Sequence, residues 1–377
     1  MMKFAQVMSS GGEWLRGEGP HHQVVVSSRV RLARNLRHRS FPGWAKKAER
    51  TQILEQIKPR VEELPEMQDS FSELLQDLSP LEKQVLVERH LISREHAAKG
   101  IGSAVTMNRK QTLSIMINEE DHLRMQSIRS GLQLKNAFRL VDKIDSTLES
   151  KLDIAYDQHL GYLTACPTNV GTGMRASAML HLPGLVLSDL INQVIQAVNK
   201  IGLAVRGLYG EGTEAMGNLF QISNQTTLGE KEDEIISRLT KVIETIIEKE
   251  HDARQMLIQK KPDTLWDQIG RAYGVLTYAH AMTSKEALNL LSVMKLGVDL
   301  GAFPEDGRLP IDELFIETQP AHLQKTSEQK LNAEERDFLR AEIIRGRLKL
   351  FPKPDMGKVA REPEGNGDTP PKSNHNE

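Results

Sequence analysis

The sequence predicts an α+β fold, with an antiparallel sheet domain flanked by helices and then a helical C-terminal domain. Three observations support this prediction. Strand patterns in the first two thirds of the chain are followed by helices without the strict β-α-β order of a parallel sheet. After about residue 262 nearly every segment has a helical pattern. The composition, with 27% charged and 39% hydrophobic residues, is that of an ordinary globular protein.

Strand patterns recur through the first part of the chain. The β-branched run from Val24 to Val26 predicts a strand that enters the polar segment 27–35. Residues 101–107 and 112–118 alternate as strands do, and the short polar turn between them predicts a hairpin. Further strands are predicted at 161–166, which Pro167 ends, at 203–208 and at 219–223.

Four helices are predicted between and after these strands, because apolar residues recur there at the helical period. They cover residues 44–61, 131–150, 185–199 and 230–258. The last of them is long and highly charged, with isoleucine, leucine and valine on one side. That apolar row predicts the side that is buried.

Three or four more helices are predicted in the C-terminal part. One covers 265–280, and a capping box that starts at Thr283 begins the next, which ends at Gly301. A last helix covers 332–350. Residues 353–377 have almost no apolar side chains, so they predict a disordered tail. The predicted domains are an N-terminal segment (1–20), the sheet domain (21–260), the helical domain (261–352) and the tail (353–377).

Composition also disfavours several classes of protein. The net charge of −2 gives no general reason to expect nucleic acid or membrane as a partner. The single cysteine, Cys166, excludes an internal disulfide framework and a cysteine-based zinc site, and it fits a reducing compartment. The first 20 residues lack the apolar core of a signal peptide, and no run of about 18 apolar residues predicts a membrane span. We predict no metal site made by the protein alone.

The most informative segment is 166–175, which combines one thiol, a glycine-rich turn and an arginine. Glycine lets the backbone approach a ligand closely, and a guanidinium is a forked cation that suits phosphate. Residues 171–176 also fit the dinucleotide pattern G-x-G-x-x-A, with Asp189 near the distance expected of a ribose-binding acid. A dinucleotide site needs a strand directly before the glycine turn, and Pro167 interrupts the strand predicted there. We therefore favour another kind of phosphate site.

Three other segments carry charged residues near predicted strands. In segment 27–35, Arg29 and Arg31 are two residues apart and therefore face the same side of a strand. Taken by itself, the segment is better interpreted as a basic edge strand exposed to solvent. The acidic residues of 118–124 could bind a metal, serve as a general base or begin a helix. Taken alone, the start of a helix is the simplest interpretation, because acids favour that end of the helix dipole. The segment 206–212 places an arginine and a glutamate around a glycine turn, which equally fits a turn in solvent.

Together the segments supply arginines from four places in the chain. Several arginines can neutralise a triphosphate and the charge on a transferring phosphoryl group, so the set predicts phosphoryl transfer with Glu120 and Glu211 facing the acceptor. The patterns of P-loop enzymes, H-E-x-x-H metalloproteases and G-x-S-x-G esterases do not occur. The arginines are Arg29, Arg31, Arg124, Arg175 and Arg206.

The run Cys166-Pro167-Thr168-Asn169-Val170-Gly171-Thr172 resembles the signature of the ATP:guanidino phosphotransferases, the family of creatine and arginine kinases. Val170 stands where isoleucine or leucine is usual. Segments 28–31, 118–124 and 206–211 resemble three further family motifs in the family's order. The resemblance covers about residues 20–255 and is specific because four separated motifs agree. It implies a phosphagen-kinase-like catalytic domain that uses ATP with Mg²⁺.

The resemblance also implies a role for each matching residue. Glu211 would take a proton from the acceptor guanidinium and Glu120 would orient it, with Cys166 close by. A guanidinium is protonated at neutral pH, so transfer to it needs both functions. The five arginines would bind the phosphates. The nucleotide site would be completed by Ser27, Ser28, Val30, His90, Ala176, Ser177, Ala178, Met179, Gly207, Leu208, Tyr209, Gly210 and Glu211.

Two features resemble the bacterial protein-arginine kinases within this family. Only 26 residues precede Ser27, where phosphagen kinases carry a helical domain of roughly one hundred residues, so an acceptor site open to proteins is expected. The run Arg336-Asp337-Phe338-Leu339-Arg340-Ala341 resembles the R-D-x-x-R-A motif, an allosteric phosphoarginine site. This branch implies a cytoplasmic homodimer of the stress response, with protein substrates, a zinc-binding activator protein and a Clp protease that degrades the marked proteins.

Two alternatives stay open at the level of sequence. A small-guanidino kinase would phosphorylate free arginine or creatine instead of a protein. A catalytically silent adaptor would only bind phosphoarginine through 336–341, although it would have no need of Glu120, Glu211 and five arginines. A nucleic-acid binder is disfavoured by the net charge of −2.

Overall fold

The computed structural model describes residues 2–9, 11–12, 16–207, 215–355 and 357. Within this part of the chain, the strands form an eight-stranded sheet and a two-stranded ribbon. Every pair of neighbouring strands is antiparallel. The predicted α+β fold with an antiparallel sheet is therefore confirmed.

The elements have the following bounds. The strands are β1 (Val25–Arg34), β2 (Phe71–Leu74), β3 (Ala104–Met107), β4 (Leu113–Ile117), β5 (Leu123–Ser130), β6 (Tyr156–Asp157), β7 (Gly161–Tyr162), β8 (Met174–His181), β9 (Leu203–Gly207) and β10 (Leu219–Asn224). The helices are α1 (Phe4–Ser9), α2 (Lys47–Glu62), α3 (Pro80–Glu88), α4 (Arg94–Ala97), α5 (Leu134–Glu149), α6 (Pro183–Leu187), α7 (Ile191–Lys200), α8 (Glu232–Lys260), α9 (Pro262–Tyr278), α10 (Ser284–Asp299), α11 (Arg308–Glu317), α12 (Pro320–Thr326) and α13 (Ala333–Leu348).

β1 lies at the centre of the large sheet, whose order is β2-β3-β4-β5-β1-β8-β10-β9. Successive residues of a strand face opposite sides of its sheet. Val30 and Leu32 are buried in the main hydrophobic cluster, which lies between the sheet and helices that include α2, α5 and α8. Arg29 and Arg31 face the other side. The alternation of apolar residues and arginines in β1 thus separates the core face of the sheet from the face that carries charge.

The helices α9 to α13 surround a second hydrophobic cluster, which includes Ile269, Leu291 and Ile344. Met179 of β8 and Leu219 of β10 belong to the same cluster, so these helices pack directly on the sheet. Over the described residues 262–355 this part contains five helices, where the sequence predicted three or four. We propose the boundary between the two domains at residues 260 and 261, between α8 and α9. Among the described residues, no helix has both the length and the apolar character needed to cross a membrane.

The predicted strand over 161–166 is wrong beyond its first two residues. β7 ends at Tyr162, and the chain then leaves the ribbon. The carbonyl of Leu163 accepts a hydrogen bond from Asn35 Nδ2 (3.0 Å), and the amide of Ala165 donates one to Asp121 Oδ1 (2.7 Å). Side chains therefore satisfy the backbone groups that a strand partner would have taken.

Two further predictions also differ from the structure. The helix predicted over 185–199 is two helices, α6 and α7, because Asp189 adopts a left-handed φ of 59° that interrupts a right-handed helix. The segment 118–124, taken alone as a helix start, is a turn after β4 (residues 118–122) followed by the first two residues of β5. Asn118 has a φ of 57°, and its side-chain amide donates to the carbonyls of Arg50 and Gly102. An asparagine can hold such a turn because it tolerates the left-handed region.

Candidate active site

Four arginines from three adjacent strands meet on the charged face of the sheet. Arg29 and Arg31 lie on β1, Arg31 is directly opposite Arg175 of β8, and Arg124 lies near the start of β5. Burial, with Arg124 and Arg175 nearby, lowers the pKa of Arg29 to about 10. Burial and the same positive neighbours, together with Arg29, hold the pKa of Arg31 well below its usual value. This concentration of positive charge fits a polyanionic ligand.

One carboxylate inside the cluster belongs to Glu119, which is fully buried. Both of its oxygens accept from Arg124 Nη1, and it also accepts from the hydroxyl of Ser93. Burial alone would raise the pKa of Glu119, but Arg124 lowers it below its usual value. Glu119 therefore orients Arg124, whereas Arg31 Nε has no hydrogen-bond partner among the described residues.

Glu120 lies beside this pair with its side chain exposed. Although the residue is exposed overall, partial desolvation of its carboxyl group by the surrounding protein, followed by the negative charges of Asp121 and Glu119, raises the pKa of Glu120. A carboxylate with a raised pKa is a better proton acceptor than an ordinary one. The turn thus gives two adjacent glutamates different tasks, since Glu119 is paired with an arginine and Glu120 faces the outside.

The loop 163–173 carries Cys166. Its two ends are held by Arg34, the last residue of β1, and by Asn35, the next residue. At one end, Asn35 Nδ2 donates to Asp121 Oδ1 (2.7 Å), which also accepts from the amide of Ala165. At the other end, Arg34 Nη1 donates to the carbonyl of Thr172 (2.9 Å). The thiol of Cys166 is 3.1 Å from the hydroxyl of Thr168. The loop is therefore fixed to the same strand that carries Arg29 and Arg31.

Gly173 ends this loop with a φ of 64°. A Cβ atom there would lie 2.5 Å from Arg34 Nη1 and 2.7 Å from the carbonyl oxygen of Ala33. A larger residue would have to displace the arginine that holds the loop. The glycine is thus required both by its backbone conformation and by the close approach of Arg34.

Two cavities open on this face. The Cys166 cavity, of about 630 Å³, is lined by residues that include Glu120, Cys166 and Arg175. The His90 cavity, of about 550 Å³, is lined by residues that include Arg29, His90 and Gln126. Both cavities share part of their lining, namely Arg31, Ser93, Glu95, Arg124 and Arg206. Arg31, Arg124 and Arg206 therefore stand where the two cavities meet, in reach of an anion bound between them.

Comparisons with known proteins agree with this geometry. The family model "ATP:guanido phosphotransferase, C-terminal catalytic domain" matches residues 52–253, and the model "Protein-arginine kinase McsB C-terminal domain" matches residues 262–359. A protein-arginine kinase of Halothermothrix orenii is 46% identical over 89% of this chain and 96% of its own length. Another, from Symbiobacterium thermophilum, is 45% identical over 91% of this chain and 98% of its own.

This chain belongs to the protein-arginine kinase family. The predicted class of enzyme, an ATP-dependent phosphotransferase with a guanidino acceptor, is confirmed by these relatives.

Solved structures of other guanidino kinases are similar in fold. A lombricine kinase is 26% identical, with a TM-score of 0.54 over 65% of this chain and 70% of that chain. The duplicated taurocyamine kinase of Schistosoma mansoni, with bound components of a transition state analogue, is also 26% identical, with a TM-score of 0.56 over 61% of this chain. The present kinase spans about a third (33%) of the length of that duplicated protein.

The structure brings together most of the predicted site residues of this kinase. The Cys166 and His90 cavities contain the side chains or backbone of Arg29, Arg31, His90, Glu120, Arg124, Cys166, Arg175, Arg206 and Gly207. Ser27, Ser177 and Met179 line a small pocket beside Arg29 and His90. Leu208, Tyr209, Gly210 and Glu211 lie outside the described residues.

Four predicted nucleotide-site residues have side chains on the core side of the sheet or in other contacts. Val30, Ala176 and Ala178 belong to the main hydrophobic cluster. The hydroxyl of Ser28 donates to the carbonyl of Gly131 and accepts from the amide of Gln133. Successive residues of a strand face opposite sides of the sheet, so a contiguous motif includes residues that shape the site only through backbone and packing.

Sequence analysis missed four polar residues of this site: Asn35, Ser93, Glu119 and Asp121. The run of acids in 118–124 was a signal for Glu119 and Asp121. It did not show that Glu119 would pair with an arginine or that Asp121 would hold the loop 163–173. Asn35 and Ser93 carried no local pattern, because their partners are far along the chain.

The predicted phosphoarginine motif lies on α13. Arg340 is 2% exposed and donates to the carbonyls of Met282 (2.7 Å) and Thr318 (3.0 Å) as well as to Asp337 Oδ1. Arg336 Nη1 donates to the carbonyl of Leu331, Phe338 is half exposed, and Ala341 is buried in the second cluster. Arg340 therefore binds the backbone of two neighbouring segments.

We expect Cys166→Ala to lower turnover by roughly tenfold without abolishing it. The thiol lines the same cavity as Glu120 and Arg175, but in our assignment it forms no covalent bond with the acceptor. The measurement is kcat with a protein substrate, with Cys166→Ser as the variant that keeps a polar hydrogen. Complete loss in the alanine variant would assign a covalent or structural role to the thiol.

We expect Asp121→Ala to lower kcat roughly a hundredfold, which is the effect of misplacing a reacting group by about 1 Å. Without this carboxylate, the amide of Ala165 loses its acceptor and Asn35 Nδ2 loses its bond to residue 121. The alkylation rate of Cys166 by iodoacetamide should change as well, since the loop that carries the thiol is released. Asp121→Asn should restore most of both values, because its Oδ1 can accept both hydrogen bonds. An unchanged alkylation rate in the alanine variant would show that Asp121 does not position the loop.

Proposed function

We propose that this kinase transfers the γ-phosphoryl group of ATP to the guanidinium of arginine residues in proteins. The observation that carries the proposal is the shared lining of the two cavities by Arg31, Arg124 and Arg206. ATP would occupy the His90 cavity, the acceptor guanidinium would occupy the Cys166 cavity, and the transferring group would pass between them beside the three arginines.

The arginines would stabilise the transition state by charge. Negative charge is spread over the equatorial oxygens of a transferring phosphoryl group, and fixed cations that need no rearrangement lower its energy. Arg124 is held by Glu119, while Arg31 Nε has no hydrogen-bond partner among the described residues. That atom is available for a phosphate oxygen.

The acceptor must lose a proton as the new bond forms. The bond between the γ-phosphorus and the β–γ bridging oxygen breaks, ADP leaves with the bonding electrons, and a guanidinium nitrogen bonds to phosphorus. The proton that this nitrogen releases passes to a carboxylate. We assign Glu120 to orientation of the guanidinium and Glu211 to proton removal, and the raised pKa of Glu120, caused first by partial desolvation, also suits it to share this step.

ATP use follows from the family, and Mg²⁺ belongs to the proposal. Phosphate oxygens are hard ligands of the kind that Mg²⁺ prefers. The positive charges of Arg29 and Arg31, whose pKa values are lowered by desolvation and by neighbouring arginines, fit the remaining charge of a nucleoside triphosphate. Mg²⁺ would be held mainly by the nucleotide and would neutralise part of its charge.

We further propose the protein partners that the family resemblance implies. These are substrates with accessible arginines, a second copy of the chain, a zinc-binding activator and a Clp protease that degrades marked proteins. Trp44 supports a protein acceptor, because it lines the Cys166 cavity and is 87% exposed. An exposed aromatic side chain at the entrance of a cavity suits contact with a polypeptide. Residues 336–341 would bind phosphoarginine and alter activity.

The test is incubation of the purified kinase with ATP, Mg²⁺ and an unfolded arginine-rich protein. Mass spectrometry under non-acidic conditions, which preserve the P–N bond, would locate the phosphate. Free arginine and creatine serve as parallel acceptors, and Glu211→Ala serves as the inactive control. Phosphate on protein arginine is the expected result, whereas phosphate only on a small acceptor would favour a phosphagen-type kinase. If no acceptor is labelled even with an activator, the adaptor alternative gains support.

A further inference from the structure

The helical part of the chain forms one wall of the His90 cavity. Ser284, the first residue of α10, and Gln319 and Pro320, at the start of α12, line it opposite residues of the sheet. On the sheet side the same cavity is lined by Arg29 and His90. The sheet domain and the helical part of the chain therefore both line this cavity.

A buried carboxylate joins the two sides of this cavity. Glu88, the last residue of α3, is 6% exposed and lines the cavity. It accepts hydrogen bonds from the amide of Ala321 (2.8 Å), the amide of His322 (3.1 Å) and His322 Nδ1 (2.8 Å). The two amides lie in the first turn of α12, where backbone donors have no partner inside the helix. Among the described residues, no side chain of α12 itself caps its first turn, and Glu88 of the sheet domain caps it instead.

This contact fixes the residues that precede it. Gln319 and Pro320 come immediately before the two amides that Glu88 binds, and Gln319 Nε2 also donates to the carbonyl of Phe315 (2.8 Å). His90 follows Glu88 by only two residues. A single short segment of the sheet side therefore holds the helical wall and also lines the cavity itself.

We propose that the start of α12 completes the nucleotide site and that Glu88 is the positioning residue that holds it there. The proposal rests on the proposed function, since that assigns ATP to the His90 cavity. It extends that function by assigning part of the nucleotide site to the helical domain. Glu88 itself need not touch the nucleotide, because it acts through Gln319 and Pro320.

The first test is the affinity of Glu88→Ala for ATP and Mg²⁺, measured by calorimetry on the full chain. We expect the Kd and the KM for ATP to rise about tenfold, with a smaller change in kcat at saturating ATP. Lys325→Ala is the matched control, because Lys325 joins the same two helices through an exposed ion pair with Glu82. Equal Kd values for Glu88→Ala and the wild type would overturn the proposal, and so would an equal rise in the control.

A second variant keeps the test independent of folding. Ser284→Glu places a negative charge on the helical wall at the start of α10, where an acidic side chain favours the helix. We expect its Kd for ATP to rise several-fold, while Ser284→Gln, of the same size but uncharged, changes it less. Equal Kd values for the two variants would show that the nucleotide phosphates do not sense this wall.

The readout separates this proposal from the function on which it rests. Failure of the wild type to bind ATP would contradict the assignment of the cavity itself. Normal binding of ATP by the wild type, with no change in either the Glu88 or the Ser284 variants, would leave the cavity assigned and remove the helical domain from the site.

Discussion

Glu120→Ala is expected to abolish phosphoryl transfer, with kcat lower by roughly three orders of magnitude, while ATP still binds. Glu120 lines the Cys166 cavity and does not line the His90 cavity in which ATP is proposed to lie. Its loss removes the carboxylate that is proposed to orient the acceptor guanidinium and leaves the arginines proposed to bind phosphate in place. The rate of protein-arginine phosphorylation and the Kd for ATP, measured on the same preparation, check this prediction.

The matched control is Glu55→Ala, which removes an exposed carboxylate from α2 and should leave both quantities unchanged. Near-normal turnover in Glu120→Ala would contradict the role assigned to this residue. A parallel loss of ATP affinity would indicate instead that Glu120 supports the arginine cluster. The same experiment with Glu211→Ala tests the other proposed carboxylate, which lies outside the described residues.

Arg31→Met should abolish turnover and at the same time make the free protein more stable. Arg31 is partly buried and lies near Arg29, Arg124 and Arg175, so its positive charge is opposed by both desolvation and repulsion. Methionine keeps much of the side-chain length and removes the charge, as in cases where apolar residues replace buried ions. We expect the Tm of the ligand-free variant to rise by about 1 °C, which corresponds to about 1 kcal/mol in a protein of this size.

Thermal unfolding with and without ATP and Mg²⁺ measures both parts of this prediction. A ligand that binds only the native state raises Tm, so the wild type should gain more from ATP than the variant does. Arg37→Met is the control, because Arg37 is partly exposed in an ion pair with Asp153 and lies outside the cluster. A lower Tm for ligand-free Arg31→Met would contradict the conclusion that the cluster is under electrostatic strain.

The central strand shows what the sequence could predict. Its period of two placed Arg29 and Arg31 on one face and Val30 and Leu32 on the other, and this depends only on local geometry. The antiparallel sheet and the long helix α8 follow from similar local patterns. These features need no knowledge of which distant residues come together.

The parts that sequence analysis missed depend on distant partners. Residues 163–166 looked like a strand, because nothing nearby shows that Asn35 and Asp121 take their backbone groups. Glu119 stands in a run of acids that fits a helix start, and its task becomes clear only when Arg124 lies beside it across a turn. Glu88 had no motif at all, since its partners are 233 and 234 residues away.

The bonds of Arg340 have a thermodynamic consequence. Its guanidinium holds the carbonyl of Thr318, which directly precedes Gln319 in the wall of the His90 cavity. A phosphoarginine bound at the proposed motif on α13 would compete with that carbonyl for the same cation, and so would act on the position of the wall. Linkage between two binding equilibria is reciprocal. If bound phosphoarginine changes the affinity for ATP by some factor, bound ATP must change the affinity for phosphoarginine by the same factor. The ATP concentration in the cell would then affect how tightly this kinase binds its own product.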